Sequence, residues 1–295
     1  LLKRLSRAVQ QTDNETELFT WFLLLKSGYL CQVGYSDEQV FLLVAVDPVI
    51  YGSSYIRKGE QRFYNLTLLR GGQKAESLKT YVKSYPGADS SLTLSLLRPP
   101  QVGLEPFTRQ LSFSYAGQAY NIKVAGRRQP LRFLDLYPQT DFRVFFAARM
   151  TPDADSALVG ALAPLIEGKT ETEAVNLLLR FVQTAFRYQT DAQQFGREKY
   201  FFADETLYFP ASDCEDRAVL FAYLVRRLTG LPVIGLHFPG HMATAVKFSV
   251  PVTGDQVVFE NQKFVICDPT YINANIGMAM PAFKGARAEI IPVGF

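Results

Sequence analysis

The sequence predicts an α+β protein whose second half packs one helix on an antiparallel sheet, preceded by a β-rich region and, at the front, by a degenerate second copy of that core. Three observations carry this expectation. The stretch that opens at Ser212-Asp213 is apolar at helical spacing through Ala218, Phe221, Ala222, Leu224, Val225 and Leu228, and Gly230 closes it. Segments rich in β-branched and aromatic residues follow at 233–238, 242–248, 257–260 and 264–267, separated by turn formers. Near the N-terminus the same succession of helix and strands recurs in weaker form.

A chain of 295 residues exceeds the usual size of a single core, so two domains, or one core with a large elaboration, are expected. The divisions read from the sequence are 1–68, the degenerate copy; 69–140, a β-rich connector or insert; and 141–295, the unit that carries the chemistry. Hydrophobic residues at 48% against 20% charged exclude a disordered chain. The 31 basic and 28 acidic residues leave a formal charge of +3, and the basic ones are scattered, which gives no footprint for nucleic acid. Cys31, Cys214 and Cys267 are too few and too odd in number for a disulfide framework and lack the paired spacing of a zinc site. No cofactor or metal is therefore expected, and one of the three is a candidate working thiol. The longest apolar runs, 19–25 and 40–46, are sized for core elements rather than membrane spans. The sequence opens Leu1-Leu2-Lys3 without a methionine, which allows for a trimmed signal or anchor, and a periplasmic or extracytoplasmic setting is favoured over a cytoplasmic one.

In chain order, Thr12-Asp13-Asn14-Glu15 opens the apolar run 17–25, and Gly28 stops it, the marks of a capped, buried helix. Strand-like segments follow at 29–35, 40–46 and 61–69. Breaks at Pro86-Gly87, Pro99-Pro100 and Gly103 precede a hairpin-like pair, 111–115 and 118–124, about Ala116-Gly117. Residues 152–166 read as a helix. Thr170 and Glu173 form a capping box for another helix, expected to run to about Arg187. The aromatic and polar stretch 188–210 has no clean period and reads as a loop with one turn of helix.

A thiol attacks only as thiolate, and Cys214 stands at the start of its helix, where unsatisfied amides and the dipole favour negative charge. Glu215 and Asp216 in the same turn oppose that effect, so an imidazolium is needed nearby, and His241 is the supplier. His241 follows Pro239-Gly240 at the start of a strand that sets it on one face with Ala243 and Ala245, small residues expected to let a helix end approach. Asp268 ends the next strong strand, where Pro269 stops the ladder and leaves the carboxylate at the sheet rim to orient the imidazole. The roles are nucleophile, base and orienting acid. An oxyanion hole is expected from the Cys214 amide and one upstream donor, for which Gln193, Gln194 and Tyr208 are candidates. Cys31 and Cys267, among apolar strand neighbours, read as core residues, and His237 as structural.

Taken in order, Ser212-Asp213-Cys214-Glu215-Asp216-Arg217-Ala218, Gly230-Leu231-Pro232-Val233, Gly240-His241 and Asp268-Pro269-Thr270-Tyr271 resemble the blocks of the transglutaminase-like superfamily, in particular its bacterial cysteine peptidase relatives. The resemblance runs from about Thr170 to Tyr271. It implies a papain-like core acting on protein or peptide amides through a Cys214 thioester. Water then resolves the thioester in a peptidase or amidase, or an amine does so in a transglutaminase. One departure is Ala243, where the family often has an aromatic residue two after the histidine, so substrate-side contacts are expected to differ. The alternative is a catalytically silent binding or scaffold module of a larger surface or periplasmic assembly.

Sliding the first helix onto the one at Cys214 aligns Asp13 with Glu215, Leu18 with Leu220, Phe19 with Phe221, Trp21 with Tyr223 and Gly28 with Gly230. At nearly the same offset Gln61, Arg62 and Phe63 fall on Gln262, Lys263 and Phe264. The positions of Cys214, His241 and Asp268 land on Thr12, Gln39 and Thr67, so the first copy is expected to lack the triad.

Overall fold

The computed structural model describes residues 2–10, 12–36, 38–66, 78–81, 83, 85–100, 103 and 105–293, and they form an α+β protein. The chain divides into unit 1, Leu1–Leu94 with Pro138–Asp141, and unit 2, Ser95–Tyr137 with Phe142–Phe295. The hairpin expected within 69–140 thus falls in unit 2.

Unit 1 begins with α1 (Leu2–Val9) and α2 (Asp13–Lys26). Thr12 caps α2, its Oγ1 accepting from the Glu15 amide at 3.2 Å while Glu15 Oε2 accepts from the Thr12 amide at 2.9 Å. The expectation of a buried helix is corrected. Leu18 and Phe22 are exposed, and the buried positions are Thr16, Glu17 and Thr20. The cause is α1, which presents Ser6 to the Thr20 hydroxyl at 3.0 Å and Lys3 to the Glu17 carboxylate. A sheet follows, with β1 (Cys31–Ser36), β2 (Gln39–Asp47), β3 (Tyr55–Lys58), β4 (Gln61–Asn65), β5 (Lys79–Thr80) and β6 (Leu92–Thr93). Its order is β3-β4-β2-β1-β5, all antiparallel, and β6 lies parallel to β2. The run 41–46 of β2 is continuously buried, as a central strand covered on both faces requires. Of the strand expected at 61–69, the end from Thr67 on lies outside the described residues.

Unit 2 opens with β7 (Pro106–Tyr115) and β8 (Gln118–Arg127), a longer hairpin than the sequence suggests. It reverses at Ala116 and Gly117, whose φ values of 50° and 78° are the two left-handed central positions of a type I′ turn. Helices α3 (Arg128–Asp135), α4 (Phe142–Ala147), α5 (Pro152–Ile166) and α6 (Glu171–Thr184) follow. The Thr170–Glu173 box forms, but α6 ends before Arg187 because that residue enters a short strand, β9 (Arg187–Tyr188), parallel to β10 (Ala211–Ser212). The stretch read as a loop contains two helices, α7 (Asp191–Phe195) and α8 (Ala203–Tyr208), held by buried carboxylates that spacing alone does not reveal. Next, α9 (Cys214–Thr229) ends at Gly230, whose φ of 73° suits glycine. This helix is not amphipathic in place: 215–225 are buried on every face, because α6, α8 and the sheet all pack on it. That sheet consists of β11 (Val233–Phe238), β12 (His241–Val246), β13 (Gln256–Phe259), β14 (Gln262–Cys267) and β15 (Glu289–Pro292), in the order β13-β14-β12-β11-β15.

The two sheets have the same strand order, position for position. Their registers also correspond. A shift of 202 positions carries the pairs Cys31–Val44 and Ser36–Gln39 of β1–β2 onto Val233–Val246 and Phe238–His241 of β11–β12. A shift of 201 carries Tyr55–Tyr64 and Lys58–Gln61 onto Gln256–Val265 and Phe259–Gln262. Even an isolated bond repeats: the Ala45 amide donates to the Leu30 carbonyl, and the Lys247 amide to that of Pro232, both at 2.9 Å.

Candidate active site

Cys214 is the first residue of α9, so its sulfur lies where the unpaired amides of a helix start favour negative charge. Asp213 is the cap, and Asp216 closes the turn by accepting from the Asp213 amide at 3.2 Å. The Met242 amide, one residue past His241, donates toward the sulfur and favours the thiolate. Larger influences run the other way. Burial pushes the thiol well above its ordinary range, and the Glu215 and Asp213 carboxyls add to the push. The thiol donates to Glu215 Oε2 at 2.9 Å, and among the described residues no hydrogen bond joins it to His241.

His241 and Asp268 are paired. His241 begins β12, and its Nε2 lies 2.8 Å from Asp268 Oδ2, with both side chains buried. Asp268 Oδ1 accepts from the amides of Thr270 and Tyr271 at 2.9 and 3.1 Å, so the turn at Pro269 fixes the carboxylate and the carboxylate fixes the ring. From α6, Gln183 Nε2 donates to the carbonyls of Asp268, Tyr271 and Ala274 at 3.0, 2.8 and 3.1 Å, which anchors the turn. With Nε2 engaged, Nδ1 is the nitrogen left to meet a thiol. Phe283 stacks on the imidazole with centroids 4.7 Å apart and planes at 10°, covering one face of the ring.

The expectation that Ala243 and Ala245 admit a helix end is corrected. They pack with Ile234, Leu236, Phe238 and Ile266 beneath Phe283 and Ile290, so the small residues make room for the sheet's own apolar layer. The helix start meets the strand at the Met242 amide instead.

The acids around the thiol organise the chain from 188 to 216. Asp191 Oδ2 accepts from the Lys199 amide at 2.6 Å, Asp213 Oδ2 from the Asp191 amide at 3.3 Å, and Asp216 Oδ1 from the Phe201 amide at 2.9 Å. One oxygen each of Asp191, Asp213 and Glu215 falls within 4.8 Å of the others, a donor spacing that suits a cation. Burial, however, raises all three toward their neutral forms, Asp191 up to about 7, whereas a cation requires ionised ligands. With no ion between them, the three carboxyls are drawn toward their protonated forms.

Of the oxyanion candidates, Tyr208 accepts from Arg128 Nη1 at 2.9 Å, which leaves its own O–H to donate, and Gln193 is exposed. Gln194 on α7 has a buried Nε2 that finds no hydrogen-bond partner among the described residues. Cys31 and Cys267 are buried, and burial raises both thiols, Cys31 up to about 12. His237 is partly exposed, with Nδ1 3.6 Å from Glu289. Arg217, Gln183, Tyr188 and Phe283 carry no signal of their roles in the sequence. Buried Arg217 donates to the carbonyls of Gln183 and Phe186 at 3.2 and 2.7 Å and to Ser212 Oγ at 3.3 Å, tying α6 and β10 to α9. Tyr188 is near enough to Cys214 for a charge on the sulfur to oppose ionisation of the phenol, although burial is the larger cause of its rise to about 12. A groove of about 760 Å³ lined by Tyr115, Tyr120, Asn176, Arg180 and Asn273 includes none of Cys214, His241 and Asp268.

No family model matches the chain, and searches of curated proteins and of solved structures found no match.

Proposed function

We propose that unit 2 is a thiol acyl-transfer domain with a papain-like core of the transglutaminase-like kind, acting on amide bonds of proteins or peptides. The observation that carries this reading is the buried His241–Asp268 pair at 2.8 Å, whose chain neighbour Met242 turns its amide toward a helix-start thiol. The Cys214 proton passes to His241 Nδ1, the sulfur attacks the amide carbonyl, and Asp268 holds the ring and balances its charge. The C–N bond then breaks as His241 returns the proton to the departing amine, leaving a thioester that water or a second amine resolves. The Cys214 amide at the start of α9 supplies one oxyanion donor.

The same reading makes unit 1 a copy of the core without the triad, supported by the shared strand order and register and by Gln39 at the position of His241. A second reading, a silent binding or scaffold module of a larger surface or periplasmic assembly, draws support from the thiol's bond to Glu215 and from that triad-free copy. Incubation with a glutamine-containing protein and a labelled primary amine, alongside a peptide hydrolysis assay, separates them. Acyl transfer requires at least one activity, abolished in Cys214→Ala and in His241→Ala. If wild-type protein shows neither, the silent module stands.

A further inference from the structure

Among the acids around Cys214, Glu215 is the exception. Asp191, Asp213 and Asp216 each accept from an amide of the 188–216 segment, whereas Glu215, whose carboxyl also bonds that of Asp213, takes the thiol of Cys214 on Oε2 at 2.9 Å. Glu215 is itself buried, and among the described residues no Lys or Arg forms an ion pair with it. A thiol has one proton and donates it to one acceptor at a time, so a thiol committed to Glu215 is not committed to an imidazole. We propose that Glu215 is a second proton acceptor for Cys214, one that competes with His241 and holds the thiol in its protonated, unreactive form until their hydrogen bond opens.

The inference rests on the reading of Cys214 as the nucleophile. In the closed state the proton stays on sulfur and points at Oε2. Opening turns the S–H toward His241 Nδ1, the proton crosses to nitrogen, and the electron pair stays on sulfur as thiolate, with no further reactant. Of the other charged or titratable groups, Asp213 and Arg217 on α9 and Tyr188 of β9 act on the thiol directly, Asp191 of α7 and Asp216 of α9 lie against Asp213 and Glu215, and His241 of β12 is one residue from the Met242 amide that donates toward the sulfur. The three aspartates, when ionised, oppose a thiolate in the same sense as an ionised Glu215, and Glu215→Gln removes the charge at the acceptor while leaving a weaker amide oxygen there.

The test is iodoacetamide alkylation of the full chain from pH 5 to 9, with Cys214 and Cys267 followed separately by peptide mass spectrometry. Glu215→Gln is expected to alkylate at Cys214 roughly tenfold faster than wild type at pH 7, with its rate midpoint moved to lower pH. Cys267, buried on β14 of the same unit, reports any general loosening and is expected to stay unlabelled. Glu215→Asp keeps the charge but withdraws it from the sulfur, and is expected to fall between the two; it carries the test if Glu215→Gln does not fold. Unchanged or slower Cys214 alkylation in the folded variants overturns the proposal, as does a parallel rise at Cys267. His241→Ala separates this inference from the one beneath it. If Glu215→Gln accelerates labelling while His241→Ala leaves it as in wild type, Glu215 restrains the thiol without competing with an imidazole, and the acyl-transfer reading falls. If His241→Ala slows labelling and Glu215→Gln changes nothing, the reverse holds.

Discussion

The two sheets share strand order and register, yet the junction between helix start and strand start is filled differently in each. In unit 1, Asn14 of α2 clamps the β1–β2 turn: its Nδ2 donates to the Glu38 carbonyl at 2.6 Å and its Oδ1 accepts from the Val40 amide at 2.9 Å. A shift of 202 positions carries Val40 onto Met242, whose amide faces the Cys214 sulfur. An amide at this junction that looks for an acceptor is thus a property of the fold. A carboxamide there gives a clamp. A thiol there, at the amide that follows an imidazole held by a buried carboxylate, gives a candidate nucleophile. The counterpart of Asp268, Thr67, lies outside the described residues.

The sharpest way to break the comparison is to remove the pair that unit 2 has and to install it in unit 1. In Asp268→Asn the imidazole loses its orienting charge, and under the acyl-transfer proposal amide turnover is expected to fall by roughly 10³ to 10⁴ while the far-ultraviolet circular dichroism stays that of wild type. Thr12→Cys with Gln39→His should gain no probe labelling in unit 1, because Asn14 already occupies the Val40 amide. Labelling there at the rate of Cys214 shows that the scaffold alone activates a thiol. Next in size is Arg217→Met, which leaves the Gln183 and Phe186 carbonyls and Ser212 without their buried donor. A loss of roughly 3 kcal/mol is expected, read as reduced hydrogen-exchange protection in unit 2 peptides. Equal loss in unit 1 peptides removes the division into two independently stabilised units.

How far the sequence could be read tracks how local each cause is. The cap at Thr12, the capping box at Thr170, the glycine stops at Gly28 and Gly230, and the strands after Cys214 all depend on neighbours in the chain, and they form close to the expected bounds. His241 and Asp268 were legible because each follows or precedes a strand break at its own position. The segment 188–210 was not, since α7 and α8 are set by Asp191, Asp204 and Asp216, whose partners lie from 8 to 53 residues away. Nor does composition reveal that α9 is covered on all sides, because its outer face is apolar enough for either environment. Unit 1's α2 misled in the opposite sense: its apolar run predicts burial, and the polar face of α1 takes the inside position.

A smaller effect separates the units by pH. Burial pushes Asp191 and Asp204 in unit 2 from 3.8 up to about 7, outweighing the Thr151 hydroxyl and amide that favour ionised Asp204. A carboxyl raised in this way keeps its proton in the folded chain at pH values where the unfolded chain has lost it. Its stabilising contribution is complete below the unfolded value and is lost as pH rises through about 7. Unit 2 is therefore expected to lose on the order of 2 kcal/mol for each of these two carboxyls between pH 5 and 8 in denaturant titrations. Asp204→Asn, which mimics the protonated form, should remove about half of that slope. A stability that rises over the same interval rules out the neutral acids.

The smallest effect lies in unit 1 and asks whether its clamp is structural alone. Asn14→Ala removes a donor to the Glu38 carbonyl and an acceptor for the Val40 amide, both near the surface, where water replaces them at modest cost. The expected loss is about 1 kcal/mol, with reduced protection confined to the start of β2. Asn14→Asp keeps the acceptor and loses the donor, so it should retain protection at Val40 while freeing the Glu38 carbonyl. If Asn14→Ala instead changes alkylation at Cys214, the junction in unit 1 is coupled to the one in unit 2, and its role goes beyond holding a turn.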